Sequence, residues 1–107
     1  MTTIKAFREN GVPTALNVSG HSGYGEEGND IVCSAISVLV QVLYIGLSDV
    51  SGKDVEAFVD EENAVINLKW LPAADRSERT LSESVFRALR EVARSYGIYV
   101  KYVEVSL

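Results

Sequence analysis

The chain has 107 residues, 47% hydrophobic and 23% charged, a balance that excludes a disordered tail and fits one domain with one core. Ten Lys and Arg stand against 15 Asp and Glu, a net charge of −5, which argues against a protein that coats nucleic acid or an anionic membrane. Residues 1–62 hold three basic and ten acidic side chains, residues 63–107 seven and five, and no Lys or Arg occurs between Arg8 and Lys53. A phosphate bound in that stretch would have no local cationic side chain to hold it.

Thr3 to Arg8 and Thr14 to Ser19 flank Asn10-Gly11, a dipeptide suited to the positive φ angles of a hairpin turn, and predict strand, turn, strand. In the second strand Thr14, Leu16 and Val18 alternate with Ala15, Asn17 and Ser19, so one face is expected to be buried. From Asp30 to about Gly46 the spacing predicts a helix with a narrow polar stripe of Ser34, Ser37, Gln41 and Ser48. Its apolar run, Ile31 to Leu47, would reach ~26 Å at ~1.5 Å per residue, short of the ~30 Å hydrocarbon core, and reads as a buried helix.

A second hairpin is expected from Lys53 to Val59 and Ala64 to Trp70, turning at Asp60-Glu61-Glu62-Asn63. Thr80-Leu81-Ser82-Glu83 reads as a capping box, and Leu81, Val85, Leu89, Val92 and Tyr96 then space like one helix face ending before Gly97. Ile98 to Val105 closes the chain as a β-branched and aromatic strand. The order ββαββαβ implies a two-layer α/β (α+β) domain over residues 1–107, with about five mostly antiparallel strands and two helices on one face.

Four of the eight glycines, Gly20, Gly23, Gly25 and Gly28, fall between a strand and a helix start, in a loop suited to movement or close approach. The loop holds the only histidine, His21, and the only cysteine, Cys33, follows in the first turn of the next helix. A thiolate there gains from the helix's positive end and from a nearby imidazolium, which makes Cys33 a candidate nucleophile and His21 its base. The alternative is a cysteine that only packs and a histidine that only faces solvent. Asp30 either orients His21 or caps the helix, and as an anion it opposes thiolate formation unless donors neutralise its charge.

Gly23-Tyr24-Gly25-Glu26-Glu27-Gly28 is also a literal G-x-G-x-x-G, with Asp49 some twenty residues on. A dinucleotide fold needs parallel strands joined by crossover helices, whereas the opening strands read as a hairpin, and Glu26 and Glu27 would sit where phosphate charge must go. Lacking a second cysteine, the chain excludes an intramolecular disulfide, and its opening MTTIKAFREN has no apolar signal-like run, so a cytoplasmic location is expected.

Gly20-His21-Ser22 and Gly28-Asn29-Asp30-Ile31-Val32-Cys33-Ser34-Ala35-Ile36-Ser37 resemble the signature of the ribosomal-processing cysteine proteases, a bacterial family in which G-H-A and G-x-D-I-V-C-A-A-x-S recur. The resemblance implies His21 as general base and Cys33 as nucleophile, with Asp30 and Ser37 supporting. It implies no metal or cofactor. Ser22 and Ser34 replace the usual alanines. A homodimeric endopeptidase that trims the N-terminal extension of a large-subunit ribosomal protein is the implied activity, without direct contact to nucleic acid or membrane. Glu26 and Glu27 would suit a basic substrate segment. The oxyanion is expected to meet backbone N–H groups near the start of the helix, some of them already taken if Asp30 is the cap. A non-catalytic ribosome-associated peptide-binding or assembly module is the alternative function.

Overall fold

The computed structural model describes residues 1–26, 30–73 and 75–107. The first hairpin joins β1, Thr2–Glu9, to β2, Val12–Ser19, and Asn10 and Gly11 take φ values of 52° and 80° at the turn. The antiparallel register shifts between Phe7 and Arg8, where Arg8 faces Pro13. Proline carries no N–H to donate to a ladder, so pairing is irregular there. The first two strands are thus the expected antiparallel hairpin.

Helix α1 spans Ile31–Tyr44 and continues as a π-helical turn, Ile45–Val50. The strands β3, Val55–Asp60, and β4, Val65–Trp70, form the second hairpin; α2 spans Arg76–Ser95 and β5 Val100–Ser106. The expected order ββαββαβ is therefore the observed one. In space the strands run β3-β4-β2-β1-β5, antiparallel except for the β1–β5 pair, which is parallel from Thr2↔Val100 to Arg8↔Ser106. Alternation in β2 works as expected, with Thr14, Leu16 and Val18 buried and Ala15, Asn17 and Ser19 only partly so. Ile4, Leu16, Leu68 and Val100 from the sheet meet Val32, Ile36, Val40 and Leu43 from α1 and Val85, Phe86 and Leu89 from α2 in one core.

Strand β2 starts two residues earlier than expected, at Val12, and β3 two residues later, at Val55; three further boundaries differ for local reasons. Helix α2 starts a full turn before the expected capping box, because Asp75 caps it: the Asp75 carboxylate accepts from the Glu78 N–H at 3.0 Å and from Ser77 Oγ at 2.8 Å. Ser82 is then interior and donates its hydroxyl back to Glu78 O, while Glu83 pairs with Arg8. Strand β5 starts at Val100, not Ile98, because the Tyr99 and Val100 N–H groups turn back onto Tyr96 O. In β4 the strand starts after Ala64, whose φ of 52° belongs to the turn.

The larger correction concerns α1. With its continuation it covers Ile31–Val50, 20 residues of mean hydropathy 2.1, long and apolar enough by length and composition to cross a membrane. Only 28% of that window is buried, so the expected fully buried helix is in fact half uncovered. Val32, Ile36, Val40, Leu43 and Leu47 face the core, while Ile31, Val38, Val42 and Ile45 are exposed. Gly46 lies so close to α2 that an added Cβ would fall 2.3 Å from Leu81 Cδ2, which sets how near the two helices approach.

Candidate active site

Strand β2 ends just before Gly20, where φ is +86° and an added Cβ would meet Met1 O at 2.5 Å. Only glycine fits this turn. Its N–H donates to Ala64 O at 2.9 Å and its carbonyl accepts from Thr2 Oγ1 at 3.1 Å, so the loop leaves the sheet from a pinned point. His21 follows and is exposed; Ser22 turns inward and is 3% exposed. Tyr24 stacks edge-on against Tyr96 and Tyr99, with centroids 5.4 and 5.2 Å away, which ties the loop to the end of α2 and the approach to β5.

Asp30 caps α1. Its side chain accepts from the Val32 and Cys33 N–H groups at 2.9 and 3.0 Å, and on the loop side from Ser22 Oγ and, at 3.4 Å, from the Gly25 N–H. Among the described residues none of these bonds runs to His21, so of the two roles open to Asp30 the structure contains the cap. The Ser22 hydroxyl, followed by the Cys33 and Gly25 N–H groups, outweighs the cost of burial and holds the Asp30 carboxyl down at about 2. Asp30 is thus an anion stabilised by dipoles, with no salt bridge among the described residues.

Cys33 sits half-buried in the first turn of α1, and the Ser22 N–H donates to its sulfur at 3.4 Å. The expected oxyanion donors at the helix start are engaged: the Val32 and Cys33 N–H groups bond the Asp30 carboxylate, and the Ser34 N–H bonds Asp30 O at 3.0 Å. A capping carboxylate competes for the same orphan donors that an oxyanion would use.

A cavity of about 770 Å3 opens over the sulfur. His21, Cys33, Asp30, Ser37, Gly20, Gly23 and Gly25 all line it, so the structure gathers these expected site residues around one space. Gly28 and Glu27 lie outside the described residues. Nothing in the sequence pointed to the far wall, where Val59, Asp60, Glu61, Val65 and Ile66 line the cavity from the β3–β4 hairpin. Strand order brings that wall across, through the pairing of Ser19 with Val65 and of Asp60 with Val65. The wall is apolar with an acidic rim, and no Lys or Arg lines the cavity among the described residues.

A family model for the cysteine protease Prp matches residues 1–101. The chain belongs to the Prp family of cysteine proteases. That membership sets aside the non-catalytic docking module. Solved structures share the fold. The ribosomal processing protease Prp from Staphylococcus aureus, with a covalently linked product peptide, superposes with a TM-score of 0.88 at 16% identity over 98% of this chain and 100% of that one. SMU.848 from Streptococcus mutans gives 0.85 at 24% identity, covering 100% of this chain and 96% of that one. The S. aureus enzyme with a substrate peptide gives 0.83 at 15% identity over 98% and 100% of the two chains. No curated protein sequence matches this chain. Like its relatives by fold, this Prp-family chain carries a mixed five-stranded sheet with two helices.

Proposed function

We propose that this Prp-family protease removes the N-terminal extension of a large-subunit ribosomal protein, with Cys33 as nucleophile and His21 as general base. The observation that carries the reading is the pairing of the only cysteine with the only histidine on one cavity, the cysteine in the first turn of a helix. The sulfur attacks the scissile carbonyl carbon as its proton passes to the imidazole. The C–N bond then breaks, and the imidazolium proton goes to the leaving amine. Water, deprotonated by His21, hydrolyses the thioester and regenerates the thiol. The step needs no metal or cofactor.

The substrate assignment draws on the S. aureus neighbour, a ribosomal processing protease, and on the cavity's chemistry. Val18, Ile36, Val59 and Ile66 suit apolar side chains next to the cut, and Asp60 and Glu61 with the loop's Glu26 suit basic residues beyond it. The loop from Gly20 to Gly25 is proposed to settle over the bound peptide, and Ser37, on the cavity wall, to support it. Incubation with the extended ribosomal protein, read by mass spectrometry, is expected to give one cut that frees the extension; an intact substrate would overturn the assignment.

A homodimer is proposed from the uncovered side of α1, where Ile31, Val38, Val42 and Ile45 form a stripe at helical spacing. Val38 also lines the cavity, so such a dimer would border the active site. Val42→Asp is expected to halve the mass measured by light scattering. A cytoplasmic location without membrane contact accords with this reading, since a partner subunit would cover the same apolar stripe.

A further inference from the structure

We infer that Ser22 is a positioning residue for the nucleophile: its buried hydroxyl clamps the Asp30 carboxylate and so holds the Ser22 main-chain N–H on the Cys33 sulfur. Ser22 touches each partner directly. Its Oγ donates to Asp30 Oδ2 and accepts from the Tyr24 N–H at 3.1 Å, and its own N–H lies 3.4 Å from Sγ. With Ser22 3% and Asp30 6% exposed, water cannot readily replace the hydroxyl. The bond also neutralises an anion that would otherwise work against a thiolate one turn away.

Among the described residues the titratable groups lining the cavity with Cys33 are His21 from the loop, Asp30 at the helix cap, and Asp60 and Glu61 from the β3–β4 hairpin. The α1 wall adds Ser34, Ser37 and Gln41, and β1 adds Thr2, none of them charged. Replacing Ser22 leaves every one of these charges in place. A changed sulfur reactivity then reports on the N–H and on the neutralisation of Asp30.

The inference rests on Cys33 being the nucleophile, and the test separates the two. Iodoacetamide alkylation of Cys33 is followed from pH 5 to 10 in the parent, Ser22→Ala and Ser22→Thr, with thermal melting alongside. In Ser22→Ala the rate at pH 7 is expected to fall two- to tenfold and the midpoint of the profile to move to higher pH. Ser22→Thr, which keeps the hydroxyl, is expected to hold the parent midpoint. A folded Ser22→Ala with the parent profile overturns the positioning role, as does a folded Ser22→Thr shifted like the alanine variant. If Ser22→Ala melts below the assay temperature, the threonine variant decides alone. Undiminished cleavage by Cys33→Ser would instead overturn the nucleophile, whatever the alkylation profiles.

Discussion

Two polar hubs organise this molecule, and they neutralise charge in opposite ways. At the N-terminus of α1 the Asp30 anion is met by a hydroxyl and three backbone N–H groups, all uncharged. At the other hub the Arg8 guanidinium on β1 is met by two carboxylates, Glu83 on α2 and Glu104 on β5, and lies over the Phe86 ring at 5.4 Å to the centroid. Hydrogen bonding to Glu83 raises the Arg8 pKa against the opposing effect of burial, and Arg8 in turn lowers that of Glu104. Burial, then the bond to Glu104, raises the Tyr102 phenol. Asp30 is thereby satisfied without a Lys or Arg on the cavity among the described residues, where one would repel the basic substrate proposed above. The Arg8 hub has no such constraint and uses full charges to join three elements.

The sharpest way to break the contrast is to test whether chemistry depends on one hub alone. Cys33→Ser and His21→Ala are each expected to lower kcat/KM more than about a hundredfold with the melting temperature nearly unchanged, and the double variant to lose little more, because groups acting as a unit are not additive. Single-turnover cleavage assays measure this. Additive losses would assign the two side chains to separate steps.

Arg8→Ala tests the other hub. It is expected to cost about 2 kcal/mol of unfolding free energy in urea, from the lost packing on Phe86, the bonds lost by Glu83, and a Glu104 left with the Tyr102 hydroxyl alone, and to leave kcat/KM within about twofold. A large catalytic loss with little destabilisation would show that the hubs are not independent.

The acid limb of stability sharpens the comparison further. Asp30 ionises at about 2 when folded, below the ~3.9 of an unfolded aspartate, so its contribution is present above about pH 4 and is lost as pH falls toward 2. Asp30→Asn, which still caps a helix, is expected to lower stability at pH 7 and to flatten the decline between pH 4 and 2. Urea midpoints at pH 7, 4 and 2.5 check this; parallel curves for parent and variant would show that the carboxylate gains nothing from its donors.

The smallest effect is expected at Glu26 and Glu27. Changing Glu26 and Glu27 to Gln is expected to lower kcat/KM by about two- to threefold at low salt, and the difference to vanish at high salt, since exposed charges are screened beyond ~8 Å at physiological ionic strength. Equal values at both salts would leave these carboxylates no part in substrate capture.

What the sequence determined by itself was local. Alternation in β2 named its buried face, Asn10-Gly11 named a turn that needs positive φ, and the run from Gly20 to Ser37 carried the family signature. Each rests on contacts a few residues long, which is why such signals can be read without a fold. Even so, the start of α2 was read at Thr80–Glu83, because the apolar run begins beside it. Tertiary structure chose Asp75, since Glu83 is drawn to Arg8, 75 residues away in the chain. It also placed β3–β4 across from the glycine loop, and it left one side of α1 uncovered. Helical spacing shows which residues share a face, but whether that face is covered depends on how many elements reach it. Asp30 follows the same division: its residue type and place announced a cap, while its bond to Ser22, and through Ser22 its link to the sulfur, required the loop to fold back over the helix it precedes.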